Sequence, residues 1–321
     1  MSVFHPTERD FQIIHALQVD PRVSWQALAP VIGADPLTLS RRWQRLQEAG
    51  VAWSSALPGP RRSPATALVE VDCRPGQARQ VAERMVEIPE VASIEFTAGA
   101  ADLLLTVFLT SEAQLVETVL EALGGIDGVR SIRSHLLSAT IRLGSDWRMS
   151  ALSTAQVAAL PPVRSPRAGA AKHIDQPLAD RLRALLHEDA RMPYRELGER
   201  VGISAQRAAD ATALLRASGD LVLRTDVSER YSLFPSVTWL FLQVPARVIP
   251  EAVRSLRELE SIQLAAVGAG PANLILATCA ASRMDLVQVE AEVCRLLPEA
   301  SVQNRITMLR LYKHLGRVLP G

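Results

Sequence analysis

The 321-residue sequence is poor in cysteine and lysine, has no long apolar run and carries almost no net charge. Its three cysteines, Cys73, Cys279 and Cys294, are odd in number and lack metal-ligand spacing. They are typical of reduced thiols in a cytoplasmic protein, and they disfavour a disulfide scaffold and a metal site. No segment approaches about 18 consecutive apolar residues, and the N-terminus lacks an apolar signal core. We therefore expect neither secretion nor membrane spanning.

The composition also excludes a disordered chain and a general affinity for polyanions. Apolar residues make up 48% of the sequence, which is enough for several cores. The formal net charge is only +1, so nucleic-acid binding would need a local basic patch. Nearly all basic residues are arginines, with lysine only at positions 172 and 313, which is typical of a high-GC bacterial coding sequence.

The chain contains an internal repeat. The segment Asp20–Gly50 aligns without a gap with Asp189–Gly219, and Val91–Leu109 aligns with Glu260–Cys279. This order predicts four domains in the arrangement A–B–A′–B′. We place them at residues 1–58, 64–150, 173–230 and 235–321, with a linker rich in proline and arginine at 151–172.

The first domain has the pattern of a helix-turn-helix. A first amphipathic helix follows Thr7, which is a suitable N-cap. A second short helix ends at Gly33, and a third begins at Asp35 and Pro36 and ends at Gly50. Two short helices joined by a glycine-containing turn, behind a packing helix, predict this motif.

The third helix has two different faces. Leu39, Trp43 and Leu46 share a narrow arc, which predicts the side that faces the core. In a helix-turn-helix the outward face enters the major groove, where arginine binds phosphates or guanine and threonine contacts bases. The alternative is an ordinary solvated helix face. The candidate DNA-binding residues are Thr38, Arg41, Arg42 and Arg45, which share the outward arc, together with Ser40.

The second copy keeps the helical pattern but loses most of this charge. The outward positions become Arg207, Asp210, Ala211 and Leu214, of which we retain Arg207 as a DNA-binding candidate. A carboxylate at position 210 would repel phosphate. The core positions are still suitable for burial, and they are Ala208, Thr212 and Leu215. We therefore expect the first module to supply most of the DNA affinity.

Each B-type domain predicts the order βαββαβ of a ferredoxin-like fold. Such a sheet covers one face with helices, so we expect the other face to pair with a second module of the same type. The fold class is then α+β. Two helix-turn-helix (winged-helix-like) domains alternate with two ferredoxin-like domains.

The order of motifs resembles that of the Lrp/AsnC (feast/famine) transcriptional regulators. The resemblance rests on G-A-D-P-L-T-L-S-R-R-W-Q-R-L-Q-E-A-G-V and, in the domain that follows, on G-A-A-D-L-L-L-T-V. Two copies of the pattern together span nearly the whole chain. The motifs are specific in the first copy and degenerate in the second. Members usually have half this length, so the chain is similar to a tandem fusion. The resemblance implies a sequence-specific DNA-binding regulator whose second domain, called RAM, dimerises and often binds an amino acid or similar effector.

The resemblance also implies an effector site at the loop before the third strand of each RAM domain. In the first copy the family signature Gly-x-x-Asp falls on Gly99 and Asp102. In the second copy an amide replaces the carboxylate, which weakens recognition of a cationic group. A tight connection between two strands is the alternative explanation. The candidate effector residues are Gly99, Ala100, Asp102, Gly268, Gly270 and Asn273.

Two other functions stay open on the sequence. Siroheme decarboxylases are similar in architecture and also occur as fused pairs, and that group carries histidine, tyrosine and arginine in the second and third RAM strands. Here those strands contain none of the three, and His135 on the last strand stands alone as a predicted surface or interface residue. We therefore expect no catalytic residues, no metal and no cofactor. The other alternative is a sensor or architectural protein that does not recognise a DNA sequence.

The expected partners are double-stranded DNA, a small effector and a second copy of the chain. A palindromic site requires two charged A modules, so we expect a homodimer or higher homo-oligomer formed through the RAM domains. The two B modules of one chain could pair with each other or with those of another chain. The sequence leaves both arrangements open.

Overall fold

The computed structural model describes residues 4–59, 61, 65–111, 113–167, 173–257 and 259–319. The chain divides into two compact units. Unit 1 combines Met1–Arg62 with Arg148–Ser232, and unit 2 combines Ser63–Trp147 with Leu233–Gly321. Each unit therefore contains the same type of domain from both repeats. Part of the predicted linker, at 168–172, and part of the predicted A–B break, at 60 and 62–64, lie outside the described residues.

The first repeat runs from the first helix to a long strand. Its elements are α1 (Glu8–Val19), α2 (Trp25–Ile32), α3 (Pro36–Glu48), β1 (Ala52–Pro58), β2 (Ala65–Cys73), α4 (Ala78–Met85), β3 (Val91–Gly99), β4 (Leu103–Leu109), α5 (Ala113–Leu115) continued by a π-helix (Val116–Leu123), and β5 (Val129–Arg142).

The second repeat follows the same order after a short additional helix. Its elements are α6 (Thr154–Ala158), α7 (Gln176–Glu188), α8 (Tyr194–Val201), α9 (Ala205–Ala217), β6 (Leu221–Val227), β7 (Ser236–Gln243), α10 (Ile249–Arg257), β8 (Ile262–Gly268), β9 (Leu274–Ala280), α11 (Asp285–Leu296), β10 (Ser301–His314) and β11 (Arg317–Val318). None of the described helices is long and apolar enough to cross a membrane.

Unit 1 contains both predicted helix-turn-helix motifs, and the local signals for them are confirmed. The backbone amide of Thr7 donates to Asp10 Oδ2 at 2.8 Å, which caps α1. Gly33 ends α2 with a φ of 72°, and Gly202 ends α8 with a φ of 79°. Only glycine adopts this left-handed conformation at little cost, so both turns require it.

The two motifs of unit 1 are joined by a strand pair that the sequence pattern did not predict. β1 and β6 pair antiparallel from Ala52 opposite Val227 to Pro58 opposite Leu221. Ser54 Oγ and Thr225 Oγ1 lie 2.7 Å apart in this pair, and Thr225 Oγ1 donates to Leu17 O at 2.9 Å. Each strand also packs on a helix of the other repeat, α1 on β6 and α7 on β1. The two helix-turn-helix domains therefore share a two-stranded sheet, and a helix of each packs on the strand of the other.

The predicted linker is structured where it begins. Just before it, Met149 N donates to Gln18 Oε1 at 2.9 Å, and at its start Leu152 N donates to His15 Nδ1 at 2.8 Å. The side chain of Met149 is fully buried. The short helix α6 then bonds to the first motif through Gln156 Nε2, which donates to Val31 O at 3.1 Å. These contacts attach the segment after the first repeat to α1 and α2.

Unit 2 contains two four-stranded sheets in the order β5-β2-β4-β3 and β10-β7-β9-β8. Each is the sheet of a βαββαβ domain, as predicted. The outer strands join the two sheets to each other, β3 to β10 and β5 to β8, so eight strands form a closed arrangement. The two RAM-type domains therefore pair within the chain. Closure leaves none of these eight strands with a free edge.

Among its described residues, unit 2 contains three hydrophobic cores. Each sheet packs on its own helices through one face, and the two inner faces meet in a third core. The third core is formed by apolar side chains of both sheets. Its largest members are Leu68, Leu104, Trp239, Phe241, Ile275 and Ile306.

Candidate nucleic-acid interface and effector loops

The start of α3 is set by a capping carboxylate. Asp35 Oδ1 accepts hydrogen bonds from Leu37 N and Thr38 N, both at 3.0 Å, and Pro36 occupies the first helical position. The Thr38 hydroxyl also donates to this carboxylate. The bond from the hydroxyl is the largest cause that holds the pKa of the Asp35 carboxyl below its usual value, and the backbone bonds add to it. The predicted core stripe of the helix is confirmed by the burial of Leu39, Trp43 and Leu46.

The opposite face of α3 carries free basic side chains. Arg41 and Arg45 are exposed, while Thr38 and Ser40 are half-buried. Within the part of the chain that the structure describes, neither arginine has an ion pair or a hydrogen bond to another side chain. Two unpaired guanidinium groups one helical turn apart form a surface suited to phosphate or guanine oxygens.

Arg42 differs from its two neighbours. Its Nη1 lies 2.9 Å from Asp10 Oδ1 and 3.3 Å from Thr7 Oγ1, so it joins α3 to the start of α1. The side chain of Asp10 is only 4% exposed, and that of Arg42 is 32% exposed. The guanidinium therefore neutralises a buried carboxylate. Sequence spacing placed Arg42 on the outward arc but contained no information about this partner.

The equivalent face of α9 is covered by the linker. Asp210, which occupies the position of Arg41, is 4% exposed and accepts from Arg167 Nη2 at 2.7 Å. Arg164 Nη2 lies 3.6 Å from the same carboxylate. These bonds hold the pKa of the Asp210 carboxyl below its usual value, with the hydrogen bond from Arg167 as the largest cause.

The side chains at the other outward positions of α9 are also buried or hydrogen-bonded within the protein. Ala211 is fully buried, Leu214 is half-buried, and Arg207 Nη2 donates to His173 O at 3.0 Å. The sequence predicted the loss of charge in this module but not what covers it. The available signal was a linker rich in arginine beside a helix that had gained a carboxylate.

In the candidate effector loop of the first repeat, the Asp102 carboxylate has a structural partner. Asp102 Oδ2 accepts from Cys73 N at 2.7 Å, which ties the loop to the end of β2. Gly99 has a φ of 126°, and a Cβ there would lie 2.6 Å from Arg305 O in β10. The neighbouring repeat therefore requires glycine at this position. Ala100 and Asp102 are exposed beside it.

The second loop is built in the same way with an amide. Asn273 Oδ1 accepts from Val244 N and its Nδ2 donates to Val244 O, both at 2.8 Å. Gly268 is buried, and a Cβ there would lie 3.0 Å from Ala272 O, while Gly270 faces open space. Ala269 N donates to Leu136 O in β5 at 2.9 Å. Both loops thus lie where one RAM-type domain joins the other.

His135 is part of a polar cluster that the sequence did not predict. Its Nε2 lies 2.6 Å from Glu70 Oε1, and its ring centroid lies 4.8 Å from that of Phe241. Arg133 Nη1 lies 2.8 Å from Glu70 Oε2. The carboxylate of Glu70 is 4% exposed, so it is buried between a histidine and an arginine on the inner face of the sheet.

Comparisons with known proteins agree with this architecture. The profile of the AsnC-type helix-turn-helix domain matches residues 7–47, and that of the Lrp/AsnC ligand-binding domain matches residues 66–145. Both matches fall in the first repeat.

Single-unit regulators are similar to this first half. An uncharacterised HTH-type transcriptional regulator of Pyrococcus furiosus is 30% identical over 140 residues, which cover 43% of this chain and 95% of that protein. A second uncharacterised HTH-type regulator, from Pyrococcus abyssi, is 30% identical over 140 residues, which cover 43% of this chain and 89% of that protein.

A solved structure is similar over both repeats. The siroheme decarboxylase NirDL covers 96% of this chain and 93% of its own, with a TM-score of 0.61 and 14% sequence identity. At that identity the likeness concerns the fold, and it extends to the duplicated order of domains. With two matching domain profiles, similar regulators and this duplicated fold, the chain belongs to the Lrp/AsnC family of transcriptional regulators as a tandem duplication of the helix-turn-helix and RAM unit.

Proposed function

We propose that the protein is a sequence-specific DNA-binding transcriptional regulator in which only α3, the third helix of the first helix-turn-helix, contacts DNA bases. The observation that carries this proposal is the contrast between the two recognition helices. Arg41 and Arg45 on α3 are exposed and unpaired within the described residues, whereas Asp210 on α9 is buried under two arginines of the linker. Of these two helices, only α3 therefore presents a basic face that suits the major groove.

The chemistry of α3 suits direct recognition of bases. A guanidinium donates two parallel hydrogen bonds to guanine O6 and N7, and each such pair contributes about 1–3 kcal/mol of discrimination. Thr38 and Ser40 add hydroxyl groups beside the arginines. Arg42 acts through Asp10, because its bond to that carboxylate orients α3 on α1.

One recognition helix per chain sets the expected stoichiometry. A palindromic site requires two chains, so we propose a homodimer on DNA. The outer strands of the RAM-type sheets are already paired within the chain. The dimer therefore needs a surface other than these strand edges, and the pairing within the chain is one of the two arrangements that the sequence left open.

We further propose that an amino acid or similar small effector binds at the loop of the first RAM-type domain. The exposed Asp102 carboxylate uses Oδ2 for Cys73 N and can attract an ammonium group. In the second loop both polar atoms of the Asn273 amide are bonded to Val244. The two sites are thus expected to differ in affinity.

The test is selection of genomic fragments by the purified protein, followed by footprinting with and without pooled amino acids. The double variant Arg41→Ala/Arg45→Ala should lose at least about tenfold in affinity for the selected site. The matched control is Arg195→Ala/Arg200→Ala, which removes the same charge from exposed positions of α8. A footprint that is indifferent to the α3 arginines would contradict the proposal. No footprint at all would favour a sensor or architectural role.

A second candidate function is a siroheme-decarboxylase-like enzyme. The fold likeness and the contacts of the buried Glu70 carboxylate with His135 and the exposed Arg133 favour it. Titration with an iron tetrapyrrole, followed by its visible absorption spectrum, tests this function directly. A spectral change that is absent in His135→Ala, together with loss of carbon dioxide from the ligand, would support the enzyme over the regulator.

A further inference from the structure

Unit 1 contains a cleft that shares only Ser40 with the candidate DNA-binding residues. It has a volume of about 520 Å³ and lies between the first helix-turn-helix and the start of the second. One wall is the beginning of α3, from Pro36 to Ser40, and another is the beginning of α2, with Trp25 and Gln26. The second motif contributes Arg191 and Tyr194. The cleft therefore adjoins the recognition helix directly.

Two arginines exchanged between the motifs line this cleft. Cζ of Arg22, in the first motif, lies 3.8 Å from the ring centroid of Tyr194 in the second motif. The guanidinium of Arg22 also donates to Ala190 O at 2.6 Å and to Met192 O at 2.8 Å. Cζ of Arg191, in the second motif, lies 4.0 Å from the ring centroid of Trp25 in the first motif. The guanidinium of Arg191 also donates to Val23 O at 3.1 Å. Equivalent residues are thus fixed by reciprocal contacts.

These bonds leave the positive charge only partly compensated, because the carboxylates of Asp20 and Asp189 act from beyond ion-pair distance. The acceptors are neutral carbonyls, and among the described residues no carboxylate lies within ion-pair distance of either guanidinium. Of the nearby acids, Asp20 is bonded to Arg216 at 3.0 Å, and Asp189 accepts the backbone amide of Arg191. Three guanidinium groups therefore face two carboxylates.

This arrangement lowers the pKa of both guanidinium groups. Burial lowers the pKa of Arg22, and it lowers the pKa of Arg191 to about 10, with the charge of Arg22 as a second cause. An anion in the cleft would relieve both effects. Each guanidinium plane keeps further N–H groups, and the hydroxyls of Ser24 and Ser40 lie in the same lining.

We infer that this cleft binds a phosphodiester group of the DNA backbone beside the bases contacted by α3, an inference that rests on the proposed function. A duplex held against Arg41 and Arg45 brings its backbone past the start of α3, where the cleft opens. Arg22 and Arg191 supply charge, and the aromatic rings keep their guanidinium planes in place. The second helix-turn-helix then contributes to DNA binding through Arg191 and Tyr194, although its own recognition helix is covered.

The test compares the salt dependence of duplex binding in variants of equal charge. Arg191→Gln removes a guanidinium from the cleft, and Gln26→Glu places a carboxylate on its rim at the first turn of α2, where an acidic residue is compatible with the helix. Arg195→Gln is the control, because Arg195 is exposed on α8 and pairs only with Glu199 among the described residues. Each substitution lowers the net charge by one unit.

Binding is measured by fluorescence anisotropy with a labelled duplex carrying the selected site, over a series of salt concentrations. Both cleft variants should reduce the slope of log K against log salt by about 0.9, the contribution of one phosphate. They should also weaken binding about tenfold at moderate salt, as expected for one hydrogen bond to a charged group. The control should keep the wild-type slope.

The outcomes separate this inference from the proposed function. If wild-type protein binds the duplex but both cleft variants match Arg195→Gln, the cleft inference is wrong and the regulator proposal stands. If inorganic phosphate raises the melting temperature of the wild type while duplex binding is unchanged in the cleft variants, the cleft binds a small anion and the inference is also wrong. Should Arg191→Gln fail to fold by thermal melting, Gln26→Glu decides the question alone.

Discussion

Arg167 Nη2 lies 2.7 Å from Asp210 Oδ2, so the linker binds the helix position at which the first module carries Arg41. The carboxylate also accepts from Gln206 Nε2 at 3.1 Å. A basic residue in one copy and an acidic residue in the other thus give opposite surfaces. One is an exposed basic surface, and the other holds a segment of its own chain.

Removing this carboxylate should release the linker. In Asp210→Ala the guanidinium groups of Arg164 and Arg167 lose their anionic partner. Limited trypsin digestion should then cleave after these two arginines several times faster than in the wild type. Asp180→Ala, which removes an exposed carboxylate from α7, is the control and should be cleaved at the wild-type rate. Equal rates in all three proteins would show that the pair does not hold the linker.

The same pair predicts a pH dependence. Its hydrogen bond from Arg167 lowers the pKa of Asp210, so the folded carboxyl is ionised at a lower pH than the unfolded one. The contribution to stability is present above the ordinary carboxyl pKa of about 4 and is lost as the pH falls through the lowered pKa. Urea unfolding should therefore show Asp210→Asn less stable than the wild type at pH 7, with the difference shrinking toward pH 3. A constant difference would contradict this assignment.

Arg42 should behave as a structural residue. Arg42→Ala leaves the Asp10 carboxylate buried without its cationic partner. We expect the free energy of unfolding to fall by about 1–2 kcal/mol, a value reduced for the partial exposure of the arginine. Arg41→Ala should change it by less than about 0.5 kcal/mol, because its side chain is exposed. Chemical denaturation of the two variants measures both values, and similar losses would refute the distinction.

Asn273 should not tolerate a carboxylate. In Asn273→Asp the donor to Val244 O is lost, and a charged oxygen faces that carbonyl at the former 2.8 Å contact. We expect a loss of about 1–3 kcal/mol in the free energy of unfolding. The reciprocal change Asp102→Asn keeps an oxygen acceptor for Cys73 N and should cost less. The comparison uses urea unfolding at neutral pH, and an equal cost for both would be against the expectation.

The three thiols should react at different rates. Burial raises the pKa of Cys73 to about 11 and that of Cys279 to about 12, so little thiolate forms at either position near pH 8. Cys294 is only partly buried. Titration of the native protein with a disulfide reagent should show one fast thiol, and all three should react in urea. Loss of the fast phase in Cys294→Ser assigns it, and two fast thiols in the native protein would contradict the burial.

The sequence by itself determined the local structure and much of the candidate interface. Helical periodicity identified α3 and its buried stripe, and the capping residues Asp35 and Pro36 located its start. The same periodicity placed Arg41 and Arg45 outward, where they are exposed. Strand and helix order predicted both βαββαβ domains. These features depend on residues a few positions apart, so their spacing along the chain is sufficient evidence.

Only the tertiary structure decided which distant groups meet. The pairing of β1 with β6, the ion pair of Arg42 with Asp10, and the covering of Asp210 by the linker join segments of quite different sequence position. The closure of the two RAM-type sheets within one chain is of the same kind. Periodicity assigns a residue to a face but does not specify the partner that the face will contact. That choice depends on which surfaces together bury the most apolar area and leave the fewest charges unpaired.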